Sequence, residues 1–126
     1  MLAWKTALKI TVDSAITALV PNGLNYRSPK TVATLPAVTY FIVSDVSGLE
    51  TGPQDIRFQI DIFDDDDIRA EAIREAIRTA LHDIPFVVSG ATHDFLKEVS
   101  KIEFPMDADL ECFHWVVEYR SILYRD

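Results

Sequence analysis

A run of four aspartates, Asp64 to Asp67, is the most conspicuous set of potential ligands in the sequence. Carboxylate oxygens are the ligands that calcium and magnesium prefer. Consecutive residues at a strand-to-helix junction do not all point at one centre, however, and the run lacks the alternating spacing and the Gly of an EF-hand loop. We therefore favour a structural role, in which one aspartate caps the following helix and the others lie near its positive end.

Three histidines and a single cysteine are the other residues that suggest chemistry. His82 is predicted at a helix C-terminus, where a cation is favoured, and His93 in a polar loop. Cys112 and His114 are two residues apart on a predicted strand, so they share a face and form the one pair that suggests nucleophilic catalysis. Because a cysteine nucleophile usually takes its base from elsewhere in the fold, we interpret the pair as ordinary strand side chains.

Other motifs of catalysis are missing from the sequence. It has no Gly-rich phosphate loop, no serine nucleophile elbow and no His-Glu-x-x-His helix. The single cysteine excludes an internal disulfide and a cysteine-based zinc site. We accordingly predict no catalytic, cofactor-binding or metal-binding residues, and a protein that is not an enzyme.

The 126 residues include 20 acidic and 12 basic side chains, for a net charge of −8. Without a basic stripe, the chain cannot gain affinity for a nucleic-acid backbone through counterion release, although an acidic surface can repel DNA phosphates. Lys5, Lys9 and Asp13 interrupt the N-terminal apolar residues, so we expect no signal peptide. We also expect no membrane-spanning segment and a single domain over residues 1–126.

A helix over residues 3–20 is predicted to begin the fold. Its apolar stripe at helical spacing consists of Leu8, Val12, Ala15, Ile16 and Leu19. Lys9 and Asp13 are four residues apart and can pair on its exposed side. The sequence Pro21-Asn22-Gly23 cannot continue a helix and therefore ends it.

Three strand segments are predicted in the first half of the chain. A short strand is expected at Leu24 to Arg27, and residues 37–46 have the composition of a central strand covered on both faces. Ser47 to Pro53 is typical of a hairpin connection. Residues 55–63 then give the clearest strand pattern in the chain, with Ile56, Phe58, Ile60 and Ile62 on one face and Arg57, Gln59 and Asp61 on the other.

A second helix is predicted over residues 67–83. Its apolar stripe consists of Ile68, Ala72, Ile73, Ala76, Ile77, Ala80 and Leu81. The opposite face carries charges that can neutralise one another along the helix, namely Arg69, Glu71, Arg74, Glu75 and Arg78.

Strands are predicted again after the second helix, at residues 86–89, 99–104 and 112–124, with a polar turn at 107–111. The last strand places Phe113, Trp115, Val117, Tyr119 and Leu123 on one face. Connections within each run of strands are short enough for antiparallel pairing. The predicted fold is therefore α+β, a single antiparallel sheet with two helices packed on one face.

The order of these features resembles a known family. The segments that carry the resemblance are Ala18-Leu19-Val20-Pro21, Leu35 to Tyr40, Arg57 to Phe63, Ala72 to Leu81, and Cys112 to Arg120 after an Asp-rich turn. Taken together over nearly the whole chain, they resemble the phage tail-completion (tail-terminator) proteins of phages and prophages.

The resemblance implies a virion structural protein in the neck of a tailed phage, assembled in the host cytoplasm. It implies a ring, expected to be a hexamer, that stops polymerisation of the tail tube and faces the head connector. The partners would be further copies of the chain, the major tail tube protein and the head connector or stopper protein, while DNA passes through without specific binding. The hairpin of residues 37–46 and 55–63 is the first place to expect ring contacts.

Two alternatives stay open at the level of sequence. A head-completion (stopper) or connector-adaptor subunit would also be a small ring protein of similar composition. A small acidic inhibitor of a basic protein would match the size and charge, but it needs carboxylates spread over a continuous face. Six acidic residues instead fall between Asp55 and Asp67.

Overall fold

The computed structural model describes residues 2–26, 35–47, 54–82, 87–88, 91–93, 97–107 and 111–125. The elements in chain order are α1 (Leu2–Ile16), β1 (Leu24–Tyr26), β2 (Ala37–Ser47), β3 (Gln54–Asp64), α2 (Asp67–Leu81), β4 (Val87–Val88), β5 (Ala91–His93), β6 (Lys97–Asp107) and β7 (Cys112–Arg125). The α+β class is therefore confirmed.

The described strands form one sheet in the order β1-β2-β3-β7-β5-β4, and β6 also pairs with β7. One edge of β7 pairs with β3. The other edge of β7 pairs first with β6, over Cys112 to Arg120, and then with β5, over Leu123 to Arg125. All these pairs are antiparallel, as are β2 with β3 and β4 with β5.

The prediction of a purely antiparallel sheet is wrong at one edge, because β1 runs parallel to β2 with Leu24 opposite Val38. The chain between Tyr26 and Ala37 is longer than a hairpin turn, so it can return to the starting end of β1 before β2 begins. The short connections that predict antiparallel pairing elsewhere do not apply here.

The core follows from the alternation in β3. Ile56, Phe58, Ile60 and Ile62 are all at most 2% exposed. Their neighbours across β7 are Ser121, Tyr119, Val117 and Trp115, so the same face continues from strand to strand. One buried cluster joins this face to Leu8, Val12 and Ile16 of α1 and to Ala70, Ile73, Ile77 and Leu81 of α2. Each large apolar side chain buried in this way contributes roughly 1.5–3 kcal/mol.

The first helix is shorter than predicted. It ends at Ile16, and turns continue the chain to Gly23. The predicted pair is present, with Lys9 Nζ 2.9 Å from Asp13 Oδ2. Asp13 also accepts a hydrogen bond of 2.7 Å from the N–H of Leu24. Gly23 has φ +65°, and a Cβ there would lie 2.5 Å from Asp13 Oδ1, so glycine allows this close approach.

Two positions of the predicted α2 stripe are wrong. Ile68 is 79% exposed, and Ala72 is also exposed, whereas Ala70 is fully buried. At about 100° per residue, Ile68 and Ala72 lie on nearly the same side of the helix, far from the side of Ala70. The buried stripe is instead Ala70, Ile73, Ile77 and Leu81.

The later strands differ from prediction in extent. β5 was not predicted, and it places His93 opposite Leu123 in a strand rather than in a loop. β6 extends beyond both ends of the predicted 99–104. The hairpin connection at residues 48–53 and most of the turn at 107–111 lie outside the described residues.

Candidate functional site

The aspartate run begins helix α2, as predicted. Asp66 is the N-cap, with extended backbone at φ −124° and ψ 112°. Its Oδ1 accepts hydrogen bonds from the N–H groups of Ile68 at 3.0 Å and Arg69 at 3.2 Å. These are donors that the first turn of a helix cannot satisfy internally, so the capping prediction is confirmed.

Asp64 is held by an arginine that sequence reasoning placed on the exposed face of α2. The Arg69 guanidinium donates from Nε to Asp64 Oδ2 at 2.8 Å and from Nη2 to Oδ1 at 2.6 Å. The N–H of Asp66 also donates to Asp64 Oδ1 at 3.1 Å. Burial alone raises the pKa of the Asp64 carboxyl, but these hydrogen bonds and the Arg69 charge together outweigh it. The pKa of Asp64 therefore lies below its ordinary value of 3.8.

Asp64, Asp65 and Asp66 thus direct their carboxylates at donors of the protein itself. Arg69 Nη2 also lies 2.9 Å from Asp65 Oδ1. Within the ranges that the structure describes, no three His, Cys, Asp or Glu side chains come together as metal ligands.

Salt bridges also connect helix α2 to strand β6. Glu98, whose side chain is 8% exposed, lies 2.9 Å from both Arg74 Nη2 and Arg78 Nε. His82 is the C-cap of α2, at the helix C-terminus as predicted, and its Nδ1 accepts a hydrogen bond of 3.0 Å from the backbone N–H of Glu98. Arginines predicted to pair along their own helix therefore also bind a strand that lies later in the chain.

The Cys112 and His114 pair does not form an accessible nucleophile and base. Cys112 is fully buried. His114 Nε2 lies 2.8 Å from Asp61 Oδ2, and Gln59 Nε2 donates to the other oxygen of Asp61 at 2.7 Å. The His114 ring stacks on its cross-strand neighbours Phe63 and Phe104, with centroid distances of 4.3 and 5.3 Å. Sequence reasoning missed Asp61 as the partner because the pairing of β3 with β7 creates the contact.

An open cleft lies between the start of α2 and the β6–β7 pair. It consists of two adjoining depressions of about 390 and 350 Å³. The lining residues are Asp67, Ile68, Glu71, Glu103, Phe104, Phe113 and Trp115. We call this surface the acidic cleft.

The acidic cleft has a mixed apolar and acidic surface. Ile68 is 79% exposed and Phe104 44% exposed, so large apolar side chains lie open beside carboxylates. Apolar contact area with a charged rim is typical of protein interfaces. Among the lining residues that the structure describes, none is a histidine, cysteine, serine or threonine that could act as a nucleophile.

Comparison with known proteins identifies the family. A family model described as "Tail completion protein gp17" matches residues 8–124, nearly the whole chain. The chain belongs to this tail-completion family. The resemblance inferred from the order of sequence features is therefore confirmed, and the family places the chain among the structural proteins of the phage tail and neck.

A solved structure has the same fold as this tail-completion protein. It is a chain from a structure described as "Virion of native gene transfer agent (GTA) particle", with a TM-score of 0.71 and 17% sequence identity. The match covers 98% of this chain and 99% of that chain, so the two folds correspond from end to end. Among curated proteins, none matches the chain. No helix in the described ranges is long and apolar enough to cross a membrane.

Removal of the α2 cap should destabilise the tail-completion protein measurably. We expect Asp66→Ala to lower the free energy of unfolding by about 1 kcal/mol, because two N–H groups lose their acceptor. The control is Asp67→Ala, which removes a neighbouring carboxylate that makes no cap bond and should cost less. Urea unfolding measures both, and a larger loss in Asp67→Ala would contradict the assignment of the cap.

The Asp64–Arg69 pair should make the free energy of unfolding depend on pH in the acidic range. Because the pKa of Asp64 is lowered in the folded chain, its carboxylate stabilises the fold above the ordinary value of 3.8. That contribution is lost as pH falls through the folded-state pKa. The stability difference between the parent protein and Asp64→Asn should therefore be constant near neutral pH and shrink as pH falls below about 4. Asp67→Asn serves as the control for charge removal, and a difference for Asp64→Asn that is constant with pH would contradict the prediction.

Proposed function

We propose that residues 1–126 act as one domain and form the subunit of a tail-terminator ring. This ring caps the tail tube and joins it to the head connector. The observation that carries the proposal is the match of residues 8–124 to the tail-completion family. The proposed partners are further copies of the chain, expected to be six in the ring, the major tail tube protein and the head connector.

The sheet supports a ring because it offers different surfaces at its two ends. A closed ring needs a head-to-tail interface made of two different patches on each subunit. In the described strand order, β1 is at one end, while β6 lies beyond β7 near the other. β1 pairs only with Val38 to Tyr40, so the rest of β2 has no described strand on that edge.

We propose that both helices cover the same face of the sheet. Buried residues of α1 and α2 belong to the same cluster as the inward-pointing residues of β3 and β7. The other face, which includes Arg57 and Glu118, and both ends of the sheet then remain for neighbouring subunits and partners. The hairpin of β2 and β3 is a further candidate for ring contacts, although its connection lies outside the described residues.

The proposed role is structural rather than enzymatic. The only cysteine is buried, and the Nε2 atom of His114 is bound by Asp61. We therefore propose no catalytic residue and no cofactor. The net charge of −8 supports passage of DNA through the ring, because an acidic lining repels phosphates and does not hold them.

Electron microscopy of particles made after an early stop codon is placed in this gene tests the proposal. A missing terminator should leave filled heads without tails and free tails of irregular or excess length. Expression of the chain from a plasmid should restore complete particles, which is the control for effects on neighbouring genes. Leaking heads beside tails of normal length would instead indicate a head-completion subunit, and unchanged particles would contradict a structural role.

A further inference from the structure

The acidic cleft combines exposed apolar area with negative charge. Glu71 and Glu103 have side chains that are 45% and 48% exposed. Arg74 lies 3.7 Å from Glu71, and Lys101 lies 3.1 Å from Glu103, so neighbouring cations partly offset these two charges. Asp67 makes no ion pair among the described contacts, and it stands next to the exposed Ile68 at the start of α2.

A second surface has the complementary composition. It consists of Lys5, Lys9 and Ile10 on α1 together with Tyr26 on β1, and we call it the α1 ridge. Ile10 is 62% exposed and Tyr26 44% exposed. Within the described ranges, these two join Val43, Ile68, Val99, Ile102 and Phe104 as the exposed large apolar side chains.

Internal contacts hold the two cations of the α1 ridge in place. Lys5 Nζ lies 4.8 Å from the centroid of the Tyr26 ring. Lys9 Nζ donates to the carbonyl oxygen of Leu24 at 2.7 Å and pairs with Asp13, which offsets part of its charge. The side chain of Lys9 is still 49% exposed. Because these contacts order the lysines before binding, less conformational entropy is lost when a partner arrives.

The two surfaces lie beside different strands of the sheet. The α1 ridge is next to β1, the first strand of the sheet, whereas the acidic cleft is bordered by β6 and β7. Two different patches on one subunit are what a head-to-tail contact requires. An exposed helix surface that enters an apolar groove is also a recurrent mode of protein recognition.

We propose that the acidic cleft of each copy receives the α1 ridge of the next copy in the ring. Lys5 and Lys9 then face the carboxylates of the cleft, and Ile10 packs against Ile68 of the neighbouring copy. Charge complementarity and the exposure of both isoleucines carry this inference. It rests on the proposed ring and specifies how the ring closes.

Disulfide trapping tests the contact directly. The double variant Ile10→Cys with Ile68→Cys should give covalent multimers under mild oxidation, because each subunit bonds to two neighbours. Either single variant should give no species larger than a dimer. The matched control pairs Ile10→Cys with Thr79→Cys, which replaces an exposed residue of α2 about three turns beyond Ile68, and it should not form the multimers.

Charge reversal provides an independent measurement. Lys5→Glu and Glu71→Lys should each weaken assembly by about tenfold or more, because each places like charges opposite one another. The combined variant should recover most of the loss. Light scattering follows assembly, and thermal unfolding checks that each variant is folded.

The outcomes separate this inference from the proposed function. Rings that form normally without trapping at Ile10 and Ile68, or equal trapping in the Thr79 control, would overturn the contact and leave the ring intact. Failure of the parent chain to form rings either alone or in particles would overturn the proposed function itself. Two results together support both the contact and the ring: multimers in the Ile10 and Ile68 double variant, and restored assembly when Lys5→Glu and Glu71→Lys are combined.

Discussion

The antiparallel pairing of β3 with β7 determines where the core and helix α2 lie. It runs without a register shift from Gln54 opposite Leu123 to Asp64 opposite Phe113. This register stacks Phe58 on Tyr119 with ring centroids 5.6 Å apart and aligns the apolar faces that the helices help to bury. It also ends at Asp64, where Arg69 connects the last residue of β3 to the first turns of α2. The position of α2, and with it the acidic cleft, therefore follows from this strand pair.

Much of this fold could be predicted because its signals are local. The alternation in residues 55–63 depends only on the two-residue period of a strand, and a helix cap within the aspartate run only on the residues that follow it. Local patterns of this kind predict the two helices and the long strands. The parallel pairing of β1 was missed because it depends on the path of the chain between two strands. Ile68 was misplaced because a short helix allows more than one apolar stripe, and packing against the sheet selects among them.

The contacts of the candidate site were the least predictable part, because they join residues far apart in sequence. Glu98 binds arginines that precede it by 20 and 24 residues, and Asp61 binds a histidine 53 residues later. Each contact depends on strand register. The same geometry explains why Asp64, His82 and His114 serve the fold, since their polar groups are directed at partners within the protein. Surface composition then provides the better guide to function, and the family match agrees with a structural role.

We propose that this tail-completion protein forms a ring between the tail tube and the head connector. Cryo-electron microscopy of the neck of intact particles tests it most directly. We predict one ring of this chain at the head-proximal end of the tube, with helix α1 of each copy lying in the cleft between α2 and β6 of the next. Density for the chain at another site in the particle, or as isolated single copies at the neck, would contradict the proposed ring.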